Sequence, residues 1–511
     1  MSPERGPPRT LAVVLPDLPL QRVLRARPPA GALAVVAEGL VRHATAPALA
    51  VGVRPGDSLV QARAACADLE AVPLDAVADR AALRALAEAL LALAPVVELA
   101  PPDAVLLDAA GACLSGSDPE EAERVLAGRV LACCVDMGFR GRLAVADGKG
   151  VALALARHAG RERTRVAPGP GEGARALAPL PLAALDLPAE MARWLSAVGV
   201  GDAGALAALP AETLAHRFGA VGAAAGRLAR GSDPRPLVPF VSETFPRERW
   251  DLEGEVGLLE SAEPVLFAAK RLADRVAARL VGRGLGASRL RLTLLLDPRG
   301  EERVDLPLSR PSADAAAWLG PLRERLAGLR LPAPVRALDL AVVEAAEVPA
   351  EQLAVGDRPE VARALDVALS RLAARLGERS LFAAEAADRH RPEAAYRATP
   401  FRHGGTGRAG GAGAQPQPQP APEAQPGRPT RLFDPPRPIV ALGEGGRLTS
   451  LRVEGTVRAV LALSVPERLA GEWWNEPFDR DYYRARLEGL GEAWIFRDGR
   501  DGRLWLHGLF D

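Results

Sequence analysis

The sequence is poor in the residues that mark disulfide-rich, zinc-binding or membrane-anchored proteins. Its cysteines are Cys66, Cys113, Cys133 and Cys134. They form no Cys-x-x-Cys pair and have no histidine at ligand spacing, which argues against a disulfide framework and a zinc site. The N-terminus lacks the apolar core of a signal peptide, and the most apolar helical stretch, 86–97, is short and contains Glu88. We therefore expect a cytoplasmic protein without a membrane span, a metal ion or a cofactor.

An excess of charge of one sign is also missing, because 64 Lys and Arg balance 64 Asp and Glu. A net charge of zero provides no global field that would draw the chain onto nucleic acid. Any DNA binding must therefore come from local patches. The cations are almost all arginine, with Lys149 and Lys270 as the lysines, and arginine favours bidentate phosphate contacts. The same bias is typical of a GC-rich genome.

The 511 residues are enough for several domains, and the patterns change along the chain. Residues 10–165 alternate strand and helix, which predicts an α/β layer architecture. Residues 176–240 predict short helices with glycine at the joints, and residues 241–400 predict an α+β domain with a following helix. The Gly- and Gln-Pro-rich stretch 401–429 is typical of a disordered linker. Residues 430–511 predict a small β-rich C-terminal domain, whose concentrated aromatics indicate a core, a partner surface, or both.

Asp103 lies in the turn before Val105–Leu107, an apolar run typical of a buried strand. Two-metal nucleotidyl transfer places its carboxylate ligands at strand ends, and it needs several of them. Here the neighbour of Asp103 is Ala104, and the first apolar strand, Leu11–Leu15, offers only Asp17 beyond its end. The pattern indicates a nucleotidyl-transfer site that has lost its ligands. An aspartate that merely caps a turn is the alternative.

Two patterns further along the chain indicate contact with a phosphate backbone. Gly199 and Gly201 follow a predicted helix in the spacing of a helix-hairpin-helix, where backbone amides approach a phosphate, although a plain helical corner is the alternative. Arg289, Arg291 and Arg303 lie on the polar side of two alternating strands. That face suits DNA or is simply solvated. A ladder formed by Arg271, Arg275 and Arg279 on the preceding helix we interpret as a solvated helix face.

Together these segments resemble the Y-family of translesion DNA polymerases over about residues 10–400. Val51–Arg63 resembles the fingers segment, Pro101–Asp108 the Ser-Ile-Asp-Glu-Ala-Tyr-Leu-Asp motif, and Leu143–His158 the following palm strand and helix. Leu195–Pro210 resembles the thumb. The resemblance implies a palm and fingers domain, a helix-hairpin-helix thumb and a little-finger sheet.

The departures from the Y-family pattern fall on the residues that carry its chemistry. The first metal-binding Asp is replaced by Leu15, and the Asp-Glu pair becomes Asp103-Ala104. The positions that hold the incoming nucleotide are occupied by Ala46, Leu49 and Leu153. A leucine can neither ligate Mg²⁺ nor neutralise a triphosphate. The resemblance therefore implies a chain without polymerase activity, in which Asp103 is a remnant.

This degenerate pattern, together with tail segments such as Glu472–Trp474 and Trp505–Phe510, resembles the ImuB family of polymerase-like accessory proteins in bacterial damage-induced mutagenesis. The resemblance implies binding to DNA, the sliding clamp, a RecA-like accessory protein and an error-prone replicative-type polymerase. The clamp motif of that family corresponds to Gln352 and Leu353, without the usual aromatic residue. Ser380–Phe382 and Arg431–Phe433 are alternatives that lack the Gln.

Two other functions compete with a DNA-binding adaptor in translesion synthesis. A weakly active Y-family polymerase would need substitute ligands such as Asp17, Asp103 and Asp108, of which Asp17 and Asp108 are displaced by register. A generic helix-hairpin-helix DNA-binding protein would leave the α/β half and the tail unexplained.

Overall fold

The computed structural model describes residues 9–27, 31–110, 118–158, 165–166, 168–252, 257–348, 368–369, 371–372, 375–377, 380–400, 427–444, 447–474 and 476–510. The chain divides into two compact units, Met1–Gly377 and Glu378–Asp511. The first is mixed α/β and α+β, and the second is a β domain that closes into a barrel-like sheet. No helix in the described part is both long and apolar enough to cross a membrane.

The first part of the chain alternates strands and helices, as its sequence pattern predicts. Its elements are β1 (Arg9–Val14), α1 (Leu18–Ala26), β2 (Leu33–Ala37), β3 (Leu40–Ala44), α2 (Ala46–Ala50), α3 (Leu59–Ala65), β4 (Glu70–Pro73), α4 (Ala76–Leu90), β5 (Val97–Ala100), β6 (Ala104–Asp108), α5 (Pro119–Asp136), β7 (Arg142–Asp147), α6 (Lys149–His158) and β8 (Arg165–Val166). The main sheet has the order β5-β6-β1-β7-β8, and β3-β2-β4 form a smaller one. Strand β1 is central because its apolar residues Leu11–Val14 are buried on both faces.

Short helices follow, and side-chain caps define several helix starts. They are α7 (Gly173–Leu177), a 3₁₀ turn (Leu182–Leu185), α8 (Ala189–Ala197), α9 (Ala203–Ala208) and α10 (Ala211–Ala229). Helix α10 is interrupted at Gly219, where φ is +62°. Their apolar residues pack against one face of the main sheet. Asp202 caps α9, and Ser58 with Gln61 forms a capping box at the start of α3, because their oxygens accept otherwise unpaired backbone N–H groups.

A second sheet with its own core completes the first unit. Its elements are β9 (Arg247–Asp251), α11 (Ala262–Gly282), β10 (Leu285–Leu296), β11 (Glu301–Ser312), α12 (Ala315–Ala327) and β12 (Val335–Glu347). The strand order is β11-β10-β12-β9, and both helices pack on one face. The alternation in β10 places Leu290, Leu292 and Leu294 in the core, as predicted. Strand β9 was not predicted, since its segment Arg-Glu-Arg-Trp-Asp is short and largely charged.

The arginine ladder on α11 is partly buried, so its interpretation as a solvated face was wrong. Arg275 and Arg279 are 4% and 8% exposed. Arg279 donates from Nε to Glu88 of α4 at 2.5 Å and from Nη1 to Glu248 of β9 at 2.9 Å. A helical repeat of charges does not reveal whether they face water or ionic partners on another element. Only Arg271 of the ladder is exposed, with its guanidinium over the ring of Trp250.

The second unit begins before the Gly- and Gln-Pro-rich stretch. Its elements are β13 (Phe382–Ala386), a 3₁₀ turn (Pro392–Ala394), β14 (Tyr396–Pro400), β15 (Arg431–Glu444), β16 (Arg447–Val453), β17 (Thr456–Leu463), β18 (Glu467–Gly471), β19 (Phe478–Leu487), β20 (Gly491–Asp498) and β21 (Leu504–Leu509). The long sheet has the order β17-β16-β15-β21-β20-β19-β18, and the additional β17–β19 pairing closes it. The β13–β14 hairpin groups with this unit rather than with residues 241–377.

Candidate functional site

The ends of strands β1 and β6 meet at the residues whose sequence pattern predicts a degenerate metal site. Val14 pairs with Ala104, and the Leu15 N–H donates to the carbonyl oxygen of Asp103 at 2.8 Å. Leu15 and Ala104 are fully buried. The fold brings Leu15, Asp103 and Ala104 together, and two of these side chains are apolar groups that cannot ligate a cation.

The carboxylate of Asp103 is paired with the guanidinium of Arg157. Arg157, at the end of α6, donates to Asp103 Oδ1 from Nη2 at 2.7 Å and from Nε at 3.2 Å. The Arg157 and Asp103 side chains are only 21% and 28% exposed, so water screens the pair incompletely. The guanidinium therefore supplies the positive charge that a metal ion would otherwise bring to this carboxylate. Arg157 was not predicted as a site residue, although its position one turn after Leu153 on a predicted helix was an available signal.

Of the other two candidate carboxylates, Asp17 shares a cavity with Asp103 and Asp108 lies apart from both. Asp17 and Asp103 line one cavity of about 380 Å³ together with His43, whose Nδ1 is 2.8 Å from Asp17 Oδ1. Asp108 lies opposite Thr10 at the other end of β6, roughly 17 Å along the strand from Asp103. The three carboxylates therefore do not converge. Among the described residues, no group of three or more His, Cys, Asp or Glu is placed to hold a metal ion.

The positions predicted to have lost their contacts with a nucleotide carry apolar side chains on two helices. Ala46 and Leu49 are exposed on α2. Leu153 of α6 is partly buried and lines a second cavity of about 250 Å³. One turn before it, Lys149 Nζ lies 3.0 Å from both carboxylate oxygens of Glu98. This lysine is thus already neutralised by a carboxylate of the same domain.

The glycines of the predicted helix-hairpin-helix lie between α8 and α9, as expected. Gly199 has φ +86°, a conformation that favours glycine, and its N–H donates to the carbonyl oxygen of Ser196 at 3.1 Å. Gly199 and Gly201 both border open space, so a ligand backbone can approach them. Asp202 accepts from the Ala205 N–H at 2.7 Å and places a carboxylate at the same helix start. A phosphate here would meet accessible backbone and a repelling charge, and the phosphate contact stays a prediction.

Arg289, Arg291 and Arg303 share the open face of the second sheet. Leu290 and Leu292, which alternate with Arg289 and Arg291, are buried beneath α11 and α12, so the arginines point away from the helices. In the pairing of β10 with β11, Thr293 lies opposite Arg303, which brings Arg303 onto the same face. The three arginines are therefore arranged as one group on the face of the sheet opposite α11 and α12.

Each arginine of this group already has a carboxylate partner. Arg291 Nε donates to Asp305 Oδ1 at 2.7 Å, and this hydrogen bond holds the pKa of Asp305 below its usual range. Arg289 Nε lies 3.4 Å from Glu344. Arg303 pairs with Glu301 on the same strand. A DNA phosphate must therefore compete with these carboxylates. The predicted DNA face can bind DNA only if phosphates displace them.

Of the predicted clamp-binding residues, Gln352 and Leu353 lie outside the described residues. The two alternative peptides differ in accessibility. Phe382 begins β13, is 49% exposed and stacks on Tyr396 with ring centroids 6.3 Å apart. Phe433 is 8% exposed within the core of the second unit, with the Arg437 guanidinium 4.1 Å from its ring centroid. A partner could reach Phe382 directly but could reach Phe433 only by opening that core.

Comparison with known proteins identifies relatives over nearly the whole chain. No protein-family model matches it. The chain is 30% identical over 497 residues to Protein ImuB of Caulobacter vibrioides strain NA1000 and equally to Protein ImuB of strain ATCC 19089. The alignment covers 90% of this chain and 100% of each relative. On this full-length similarity, the chain belongs to the ImuB family.

Proposed function

We propose that the protein is a non-catalytic, DNA-binding adaptor in damage-induced, error-prone translesion synthesis. In this role it holds DNA through the hairpin glycines Gly199 and Gly201 and the arginines of the second sheet. It brings together the sliding clamp, a RecA-like accessory protein and an error-prone replicative-type polymerase, and it acts in the cytoplasm on chromosomal DNA. Membership of the ImuB family supports the role in mutagenesis.

The observation that carries the non-catalytic part of the proposal is the Asp103–Arg157 ion pair. Two-metal catalysis needs carboxylates that hold two cations about 4 Å apart. Here Asp103 is neutralised by Arg157, and its neighbours Leu15 and Ala104 are buried apolar residues. A cation entering this place would have to displace the guanidinium and would then find one carboxylate at the strand ends. Such a site offers little binding energy to a hydrated Mg²⁺ ion.

The alternative, a weakly active polymerase, has one observation in its favour. Asp17 and Asp103 line the same cavity, so two carboxylates are available in one place. Primer extension by the full chain, with Mg²⁺ and then Mn²⁺, separates the two functions. We expect DNA binding without extension. Extension that disappears in Asp103→Ala would establish the polymerase and overturn the adaptor.

The proposed DNA face can be tested through the salt dependence of binding. Replacing Arg289, Arg291 and Arg303 with alanine should reduce the slope of log affinity against log salt by up to about 3, since each lost phosphate contact removes about 0.9. Arg124→Ala is the control, because this arginine is also exposed and paired, but on α5. An unchanged slope in the triple variant would remove the three arginines from the DNA interface.

Removing a carboxylate partner should strengthen DNA binding, whereas removing the arginines should weaken it. Asp305→Asn keeps the shape of the side chain but removes the charge that competes for Arg291. We expect DNA affinity to rise roughly threefold at low salt and the gain to shrink at high salt, because both effects come from screened charges. The clamp contact at Gln352 and Leu353 is tested separately, by measuring clamp affinity after both are changed to alanine.

A further inference from the structure

Trp473 and Trp474 are exposed side by side in the turn between β18 and β19. Trp473 is 79% exposed and Trp474 is 65% exposed. Their ring centroids are 5.4 Å apart and the rings are nearly perpendicular. In the same unit, Trp494 is 4% exposed within a second aromatic cluster with Tyr482 and Phe496. The unit thus buries one set of large aromatics and leaves this adjacent pair in water.

Ion pairs hold the residues on either side of the two tryptophans, and one of their charges is buried. Glu472 is 2% exposed, although glutamate is rarely buried. The Glu472 Oε2 atom lies 3.3 Å from Arg389 Nη1 and 3.9 Å from Arg391 Nε. Arg391 also donates to the Glu476 carboxylate at 3.0 Å and to its backbone oxygen at 2.5 Å. Arg389 and Arg391, between β13 and β14, therefore contact the residues on either side of the two tryptophans.

The backbone at Glu472 adds a second unfavourable feature. Its φ is +53°, a left-handed backbone conformation that residues other than glycine and asparagine rarely adopt. Its buried Oε1 has no hydrogen-bond partner. Strain and an unsatisfied buried oxygen persist where the surrounding structure enforces them, and they concentrate at functional sites. The two exposed indoles follow directly after this residue in the chain.

The geometry and charge of the turn favour a protein over nucleic acid as its partner. Bases stack on parallel aromatic faces, whereas these rings are 88° apart and cannot sandwich a base. Glu476, two residues after Trp474, pairs with Arg391, but its side chain is 72% exposed, and a carboxylate in this place repels phosphate. Exposed tryptophans are among the residues that most often dominate protein interfaces, because they bury large areas with little loss of side-chain freedom.

We propose that the Trp473–Trp474 turn is a docking site for a protein partner with an apolar pocket rimmed by basic side chains. The indoles fill the pocket, and Glu476 faces the basic rim. This inference rests on the proposed adaptor function and assigns one of its protein contacts to this turn. The turn belongs to the second unit, whereas the proposed DNA face belongs to the first.

The test uses the full chain and purified partners. Affinities for the RecA-like accessory protein, the error-prone polymerase and a single-stranded oligonucleotide are measured for the wild type, Trp473→Ala/Trp474→Ala, Glu476→Gln and Val465→Ala. Val465 is the matched control, since it is 85% exposed in the loop before β18. We expect the double variant to bind one of the two protein partners with an affinity at least about thirtyfold lower than the wild type. We expect Glu476→Gln to lower the affinity for the same partner about threefold, and this loss should shrink as the salt concentration rises. Val465→Ala should match the wild type.

The outcomes separate this inference from the adaptor function. If the wild type binds a protein partner and the double variant binds it equally well, the docking site is wrong and the adaptor function stands. If the double variant loses only oligonucleotide binding, the turn is a nucleic-acid site and the inference is wrong. If the wild type binds neither protein, the adaptor function and this inference both fail. Circular dichroism of the double variant should match that of the wild type, which distinguishes lost contacts from lost folding.

Discussion

At the scale of single residues, the second unit contains a buried polar group centred on His507. The His507 side chain is fully buried, and its Nδ1 lies 2.8 Å from the Tyr482 hydroxyl. Arg480 donates to that hydroxyl at 3.0 Å, and the hydroxyl can donate to His507 in the tautomer whose Nδ1 carries no proton. Burial lowers the pKa of His507 to about 4 and raises the pKa of Tyr482 to about 12. The fold therefore stabilises neutral histidine.

This arrangement predicts a pH-dependent stability. Because the folded pKa of His507 lies below its ordinary value of 6.5, its contribution is complete above about pH 6.5 and is lost as the pH falls toward 4. We expect the second unit to lose about 2 kcal/mol of unfolding free energy between about pH 8 and pH 5 through this group. Denaturant titrations of the full chain followed by tryptophan fluorescence measure it. His507→Gln should flatten the dependence, and His216→Gln, at an exposed position, should not.

At the scale of secondary-structure elements, α11 joins the second sheet to the first domain. Its arginines reach Glu88 of α4, which is 1% exposed, and Arg283 lies 3.8 Å from the same carboxylate. Gly282 allows α11 to approach α4 closely, because a Cβ at this position would lie 1.8 Å from the Glu88 carbonyl oxygen. The two α/β layers are therefore held together by a glycine contact and buried ion pairs rather than by a linker alone.

This contact predicts a large stability effect from one carboxylate. Glu88→Ala leaves the Arg279 guanidinium buried without its closest partner, so we expect a loss of about 3–5 kcal/mol in the unfolding free energy of the first unit. Urea titration followed by far-ultraviolet circular dichroism provides the measurement. Asp274→Ala removes an exposed ion pair with Lys270 on the same helix and should change the free energy by less than about 0.5 kcal/mol. Equal effects of the two variants would contradict the buried contact.

At the scale of the whole molecule, residues 401–426 connect two segments of the same compact unit. The β13–β14 hairpin precedes them, and β15 follows soon after them. Glu393 in the 3₁₀ turn pairs with Arg480 of β19 at 3.0 Å, with both side chains 12% exposed. Residues 401–426 thus join segments of one unit, although their composition is typical of a linker between domains.

A cut within residues 401–426 should therefore leave the two pieces associated. We expect a chain with an engineered protease site there to co-elute as one species in gel filtration after cleavage. Glu393→Arg places like charges against Arg480 and should release the C-terminal piece. Glu263→Arg, at an exposed position on α11, should leave the pieces together. Separation of the cleaved wild-type pieces would show that the hairpin contacts are too weak to hold this unit.

The sequence by itself determined much of the α/β layer and the apolar side chains at its strand ends. Apolar runs placed β1 and β6, and alternation placed Leu290, Leu292 and Leu294 in a core, because hydrophobic periodicity is a local property that the chain carries. The absence of ligands at Leu15 and Ala104 is likewise a matter of residue identity. It needs no coordinates beyond the expectation that the two strand ends meet.

Tertiary structure alone decided which charges meet. Arg157 and Asp103 are 54 residues apart, Arg279 and Glu88 are 191 apart, and Arg480 and Glu393 are 87 apart, and no local pattern links them. An arginine on a helix looks the same in sequence whether it faces water, a phosphate or a buried carboxylate, since the difference lies in the surface packed against it. The same holds for aromatics, which is why Trp494 is core and Trp473 and Trp474 are exposed.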